Sequence, residues 1–152
     1  MSPKVPGPSD DTAATLIAAR AALARHDWQA AYDASNPPPT SDLDPLSEAD
    51  LLEVRAEAAW WLGRLDDCIA SREAAYAIYD AHDHARQATA CAVSLYEHYC
   101  FRAQPTIGGA WLRRARRRLA DDIESVEFGN LVLRETETAH GRVLVHRTGC
   151  SR

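Results

Sequence analysis

The sequence is short of what most reaction centres and membrane segments require. None of its four cysteines, Cys68, Cys91, Cys100 and Cys150, stands in a Cys-x-x-Cys pair, which removes the commonest structural-zinc and redox motif. A GxxxxGK phosphate loop and a Gly-x-Ser-x-Gly nucleophile elbow are both missing, and with them the main signatures of nucleotide and acyl chemistry. No apolar run approaches the ~18 residues of a membrane span. A basic balance is missing too: 17 Lys and Arg against 22 Asp and Glu give a formal net charge of −5, where a nucleic-acid surface is normally basic. Residues 1–11 are polar and carry Pro3, Pro6 and Pro8, so they do not read as a secretory segment. The expected compartment is the cytoplasm, where thiols stay reduced.

What the chain does have is Ala and Leu, with Val, Ile and Phe sparse, and that bias favours helix over strand. At 152 residues it has the length of about one domain. Residues 1–9 are expected to form a flexible arm, 10–133 a helical domain, and 134–152 a disordered tail, because periodicity fades after Leu133 and Val143-Leu144-Val145 is the only apolar island beyond it. Apolar spacing and caps divide the domain into helices over residues 10–25, 28–35, 47–62, 65–81 and 85–102, with a sixth opening at Pro105 and ending at Asp121-Asp122. Ser9, Asp10 and Asp11 are read as the first cap, Ser47 as the cap of the third helix and Ser125 as that of a short seventh. The run Asn36-Pro37-Pro38-Pro39 is the one long interior break.

Three stretches repeat one another. His26, Gly63 and Ala103 occupy equivalent turn positions, 37 and 40 positions apart. Five positions after each comes a small residue, Ala31, Cys68 and Gly108. Two positions after each comes a bulky or ring residue, Trp28, Leu65 and Pro105. An internal period of this size marks stacked helical pairs, which usually make binding surfaces. The pattern resembles the tetratricopeptide repeat, in which two antiparallel helices meet at a small residue after a turn glycine. This resemblance implies an all-α, tetratricopeptide-like solenoid of antiparallel helix pairs, about three repeats long.

A further resemblance lies in Ala56-Glu57-Ala58-Ala59-Trp60-Trp61-Leu62-Gly63-Arg64 followed by Ser71-Arg72-Glu73-Ala74-Ala75-Tyr76. This stretch is similar to the helical-repeat region of large actinobacterial LuxR-type transcriptional regulators, from about Leu16 to Leu133. Those regulators carry a DNA-reading helix-turn-helix at the far carboxyl end, and nothing in this chain corresponds to it.

In a tetratricopeptide register the first helix of each pair lines a concave groove. The groove positions become Arg20 and Leu23 in the first copy, Asp50, Glu53, Glu57 and Trp61 in the second, and Val93, Glu97 and Phe101 in the third. At 100° per residue, Asp50, Glu53, Glu57, Trp60 and Trp61 share a narrow arc, while Leu51, Leu52, Ala58, Ala59 and Leu62 lie opposite. An acidic, aromatic face suits a basic or amphipathic peptide. The partner-binding residues are therefore expected to be Glu53, Glu57, Trp60, Trp61, Glu97 and Phe101, and the partner a protein or peptide, either a transcriptional regulator or a second copy of the chain. The bland alternative has both Trp packed on neighbouring helices and the carboxylates simply solvated.

Arg113, Arg114, Arg116, Arg117 and Arg118 form the one dense basic run, spread over the arc that Trp111, Leu112, Ala115 and Leu119 leave free. Nucleic-acid contact through Arg113, Arg114, Arg117 and Arg118 is the alternative function. His82, His84, Cys91, His98 and Cys100 lack the three- or four-residue spacing of helical metal ligands. No metal, cofactor or catalytic residue is expected, and the chain does not read as an enzyme.

Overall fold

A computed structural model of the chain describes residues 8–36, 43–119 and 124–148, with side chains at 12–36, 43–119 and 124–140. The fold is all-α. The helices are α1 (Pro8–Ala24), α2 (Trp28–Ala34), α3 (Pro45–Trp61), α4 (Leu65–Ala81), α5 (Ala85–Phe101), α6 (Pro105–Arg118) and α7 (Val126–Thr148). Among the described residues none is long and apolar enough to cross a membrane. The chain divides into two compact units, Met1–Asp83 and His84–Arg152, where length suggested a single domain over 10–133. Hairpin contacts are local in sequence, so length alone does not fix how many clusters they form.

Four of the helix ends, those of α1, α3, α4 and α5, are built from one device. His26, Gly63, Asp83 and Ala103 have φ of 61°, 72°, 58° and 58°, the left-handed conformation that terminates a helix at its first non-helical residue. At Gly63 the two closing bonds are Arg64 N–H to the Ala59 carbonyl at 2.8 Å and Gly63 N–H to the Trp60 carbonyl at 3.0 Å. His26 and Ala103 repeat the pair: Asp27 N–H reaches Ala22 O and His26 N–H reaches Leu23 O, while Gln104 N–H reaches Tyr99 O and Ala103 N–H reaches Cys100 O. The three turn positions aligned in the sequence are thus the same backbone structure. Asp83, between α4 and α5, is a fourth that the alignment did not include.

Starts are set differently. Asp44, not Ser47, caps α3: its carboxylate accepts from the N–H groups of Leu46 and Ser47, both at 3.1 Å, and Pro45 takes the first helical position, where a missing N–H costs nothing. A hydrogen bond from the Ser47 side chain, helped by those backbone bonds, holds the Asp44 carboxyl below its ordinary range. Ser125 caps α7 through Oγ, which accepts from Phe128 N–H at 3.2 Å. Pro8 already lies within α1, and what precedes it in the expected arm lies outside the described residues, as do 37–42 and Asp121-Asp122.

In the first unit α3 and α4 make the most extensive helix pair, and α1 and α2 pack on each other and on α3. The core gathers Ala19, Ala22, Ala31, Tyr32, Leu51, Val54, Ala58, Ala59 and Cys68. Alanine at so many contacts lets the helices approach closely, and burying Leu51 contributes ~1.5–3 kcal/mol. In the second unit α5 pairs with α6, and α7 touches both around Cys91, Leu95, Trp111, Leu112, Ala115, Leu119 and Leu131. The small residues of the repeat, Ala31, Cys68 and Gly108, are all buried, as is Ala88, five positions after Asp83.

The carboxyl-terminal segment departs most from expectation. Residues 134–148, expected as part of a disordered tail, continue α7 without a break; residues 149–152 lie outside the described residues. The reason is polar: Arg134 pairs with Glu97, Glu135 with Arg116, and Thr138 Oγ1 meets Tyr96 Oη at 2.8 Å. Such anchors leave no hydrophobic period to read.

Candidate partner-binding site

Trp61 closes α3, and the turn at Gly63 lies between it and the helix that follows. Its indole stacks on that of Trp28 at the start of α2, with centroids 5.2 Å apart and planes at 14°. His26 leans on Trp28 in turn, at 5.0 Å and 32°. Trp61 Nε1 donates to Glu57 Oε1, one helical turn back, at 3.0 Å. Trp61 is 57% exposed, yet stacking on one face and a hydrogen bond at its edge fix the orientation of its ring. Trp60 behaves differently, being half-buried against the first unit's core. Neighbouring tryptophans therefore serve two purposes, one packing and one presented outward.

The acidic side of this surface is weaker than a one-helix reading suggests. Arg72, projecting from α4 with its side chain only 7% exposed, donates from Nε to Glu53 Oε1 at 3.1 Å and from Nη2 to Glu57 Oε2 at 3.5 Å. Two carboxylates around one guanidinium leave a formal excess of a single negative charge. Asp50, further up α3, is also engaged: it accepts from Arg20 Nη2 at 2.9 Å and from Tyr79 Oη at 2.6 Å. Cys68 sits one turn before Arg72. Burial pushes its thiol up to about 11; the Arg72 charge acts against that, while Glu57 and Glu53 add to it. A thiol so placed is a poor nucleophile near neutral pH.

In the second unit Glu97 pairs with Arg134 Nη2 at 2.6 Å, and Arg134 also holds Glu137 at 2.9 Å. Phe101, the last residue of α5, is 73% exposed. The six expected partner-binding residues thus fall into two sets, Glu53, Glu57, Trp60 and Trp61 in the first unit, and Glu97 and Phe101 in the second. Tyr96, one position before Glu97, has its hydroxyl pushed above the ordinary tyrosine range, chiefly by burial, with the Thr138 hydrogen bond opposing.

The basic run lies as the helical wheel places it. Arg113, Arg114 and Arg117 are exposed and Arg118 half-buried. Arg114 lies 4.4 Å over the Trp111 ring, whereas Arg113 and Arg117 have no ion-pair partner among the described residues. Arg116, left out of the alternative site, is the one bound to Glu135. No three His, Cys, Asp or Glu side chains among the described residues come together to hold a metal.

Sequence reasoning missed Trp28, Arg72 and Arg134 as parts of these surfaces. Trp28 carried a signal, since it stands two positions after a turn. Arg72 carried a weaker one, four residues after the crossing residue Cys68 and so on the face of α4 that meets α3. Arg134 carried none. Compared with protein-family models, curated proteins and solved structures, the chain matches none of the three.

Proposed function

We propose that this chain is a cytoplasmic protein–protein interaction module, a tetratricopeptide-like solenoid of about three helical repeats related to the helical-repeat region of LuxR-type regulators. Its first unit takes a basic or amphipathic segment of a partner protein on the surface around Glu57 and Trp61. One observation carries the proposal: Trp61 is a large aromatic ring held outward in a fixed orientation by Trp28 and Glu57. Indoles of this kind are the usual anchors of protein interfaces, and a ring already ordered loses little entropy on binding. Because Arg72 neutralises half of the Glu53 and Glu57 charge, aromatic area outweighs electrostatic attraction here. The partner contributes an apolar residue or a cation to the free indole face.

The test uses the chain's own fluorescence. Titration with basic amphipathic peptides of varied register should quench or shift Trp emission, and Trp61→Ser should weaken the tightest of them at least about ten-fold, the size of an anchor truncation. The variant's melting temperature should hold, since the ring is mostly exposed. Equal binding by the parent and Trp61→Ser would overturn the proposal.

A second reading is favoured by Arg113 and Arg117, exposed cations with no counter-ion among the described residues. If this helix contacts nucleic acid, binding to a labelled duplex should fall with a log–log salt slope of about −0.9 for each phosphate engaged. The slope should shrink in Arg113→Gln/Arg117→Gln. A slope unchanged in that double variant would dismiss it.

A further inference from the structure

The second unit contains a cavity of about 270 Å³ between α5 and α7. It lies where two helical stripes face each other: residues 90, 93, 94 and 97 of α5 and 127, 130 and 134 of α7, each at the three- and four-residue steps that share a face. Its volume is just below the ~300–1,000 Å³ common for small-molecule sites.

The lining is ordered by charge. At one end Arg134 is already saturated, bound to Glu97 at 2.6 Å and to Glu137 at 2.9 Å. Two turns back along α7, roughly 10 Å away, Glu127 contributes a second carboxylate to the lining, and it has no partner among the described residues. The side chains of Asn130 and Ser94 also line the cavity and likewise make no hydrogen bond among the described residues. Ala90 and Val93 supply an apolar wall beside them. Glu97 and Glu137 meet the one guanidinium of Arg134, so Glu127 at the other end of the lining is a carboxylate in excess of the cations there.

The geometry points to a binding site for an aliphatic ammonium group carried on a short methylene chain. Its N–H donors are taken by the Glu127 carboxylate, Ser94 Oγ and Asn130 Oδ1, and its methylenes lie against Ala90 and Val93. Charge-assisted bonds of this kind are the strong ones. A ligand with a carboxylate at its far end is disfavoured, because Glu97 and Glu137 already occupy Arg134 and repel a third anion. The site is selective for amines over amino acids. It is independent of the aromatic surface of the first unit, and nothing in the helix pairing requires Glu127, so the two proposals fail separately.

The test is a titration of the full chain followed by the backbone amide resonances of Val93 and Asn130. Pentylamine should shift both with a millimolar midpoint; 1-pentanol, which loses the charge-assisted bond, and 5-aminopentanoate, which adds a repelled carboxylate, should each need at least about ten-fold more. Glu127→Gln should weaken pentylamine by a similar factor. Ala90→Leu, a helix-compatible change at an exposed position, should fill the cavity and abolish binding without lowering the melting temperature. Should Glu127→Gln fail to fold, Ala90→Leu and the neutral alcohol still decide. Nα-acetyl-lysine-N-methylamide separates two sources of the same group: tighter binding than pentylamine assigns a peptide lysine, weaker binding a free amine, and both support the site. Equal midpoints for amine and alcohol, an unchanged amine midpoint in Glu127→Gln, or amine binding retained in Ala90→Leu would overturn it.

Discussion

Gly108 lies so close to Tyr96 that a Cβ built on it would stand 3.0 Å from the Tyr96 carbonyl oxygen and 3.3 Å from Cys100 Sγ. The first of these is backbone and cannot step aside. Gly108→Ala gains up to ~1 kcal/mol of helix propensity but overpacks the α5–α6 crossing, which costs ~1–3 kcal/mol. With the full propensity gain the net expectation is a loss of up to about 2 kcal/mol. Gly129→Ala is the control: its Cβ meets nothing within 4 Å, so the same change in α7 should stabilise by ~0.5–1 kcal/mol. Urea unfolding of both variants checks the pair.

Thr89 is wholly buried on α5, and its hydroxyl finds no hydrogen-bond partner among the described residues. An unmet hydroxyl in an apolar setting costs ~1–3 kcal/mol. Thr89→Val keeps the branched shape and removes the oxygen. It should raise stability by about 1 kcal/mol and the melting temperature with it. Scanning calorimetry would show the rise, and a fall would mean the hydroxyl is satisfied.

Arg72 lies between Glu53 and Glu57 with almost none of its own side chain in water. Arg72→Ala leaves the two carboxylates facing each other uncompensated. Both reach solvent, so the cost should fall below the ~3–5 kcal/mol of a fully buried pair, at about 1–3 kcal/mol. The deficit should narrow at high salt, which screens their repulsion. Glu57→Lys should destabilise as well, because it sets a cation against a cation that has nowhere to go. Thermal melts in low and high salt give both answers.

The burial of Cys68 has a pH signature. Its thiol titrates at about 11 in the folded chain, against an ordinary 9.0. Below pH 9 both folded and unfolded forms keep the proton and its contribution to stability is whole. Between 9 and 11 the unfolded chain sheds the proton first, so that contribution is lost as pH rises. Cys68→Ala should lessen the fall across this window, leaving the part that comes from Tyr96, whose hydroxyl is also held above its ordinary 10.0. Iodoacetamide at pH 8 should modify half-buried Cys100 well before Cys68, as peptide mapping would show.

The helices and most of their turns could be read directly because each rests on local chemistry. Trp28, Leu65, Ala85 and Pro105 were placed at helix starts, and His26, Gly63 and Ala103 at turns, by offsets that one strand of sequence contains. Asp83 escaped because His82-Asp83-His84 looks like an ordinary polar turn, although Ala88 five positions on repeats the spacing of Ala31, Cys68 and Gly108. The surfaces were harder. A helical wheel gathers Glu53, Glu57 and Trp61 correctly but shows one helix at a time, and the cation that halves their charge projects from the next. Glu97 likewise reads as a groove carboxylate, since its partner Arg134 falls where periodicity fades. Hydrophobic spacing reports what a helix buries and is silent on what it hydrogen-bonds.

That silence has a dynamic counterpart in α7. Its first turns are fixed by Leu131, fully buried, and by Phe128, whose ring lies 5.0 Å from the Arg116 guanidinium. From Arg134 to Thr138 the attachments are ion pairs and single hydroxyl contacts, each open to competition from water and salt. Opening free energies should therefore grade along the helix, with amide protons near Leu131 exchanging only when the second unit unfolds and those beyond Thr138 exchanging through local fraying. Raising the ionic strength should move that boundary toward the amino end, one turn at a time, without melting the hairpin beneath it.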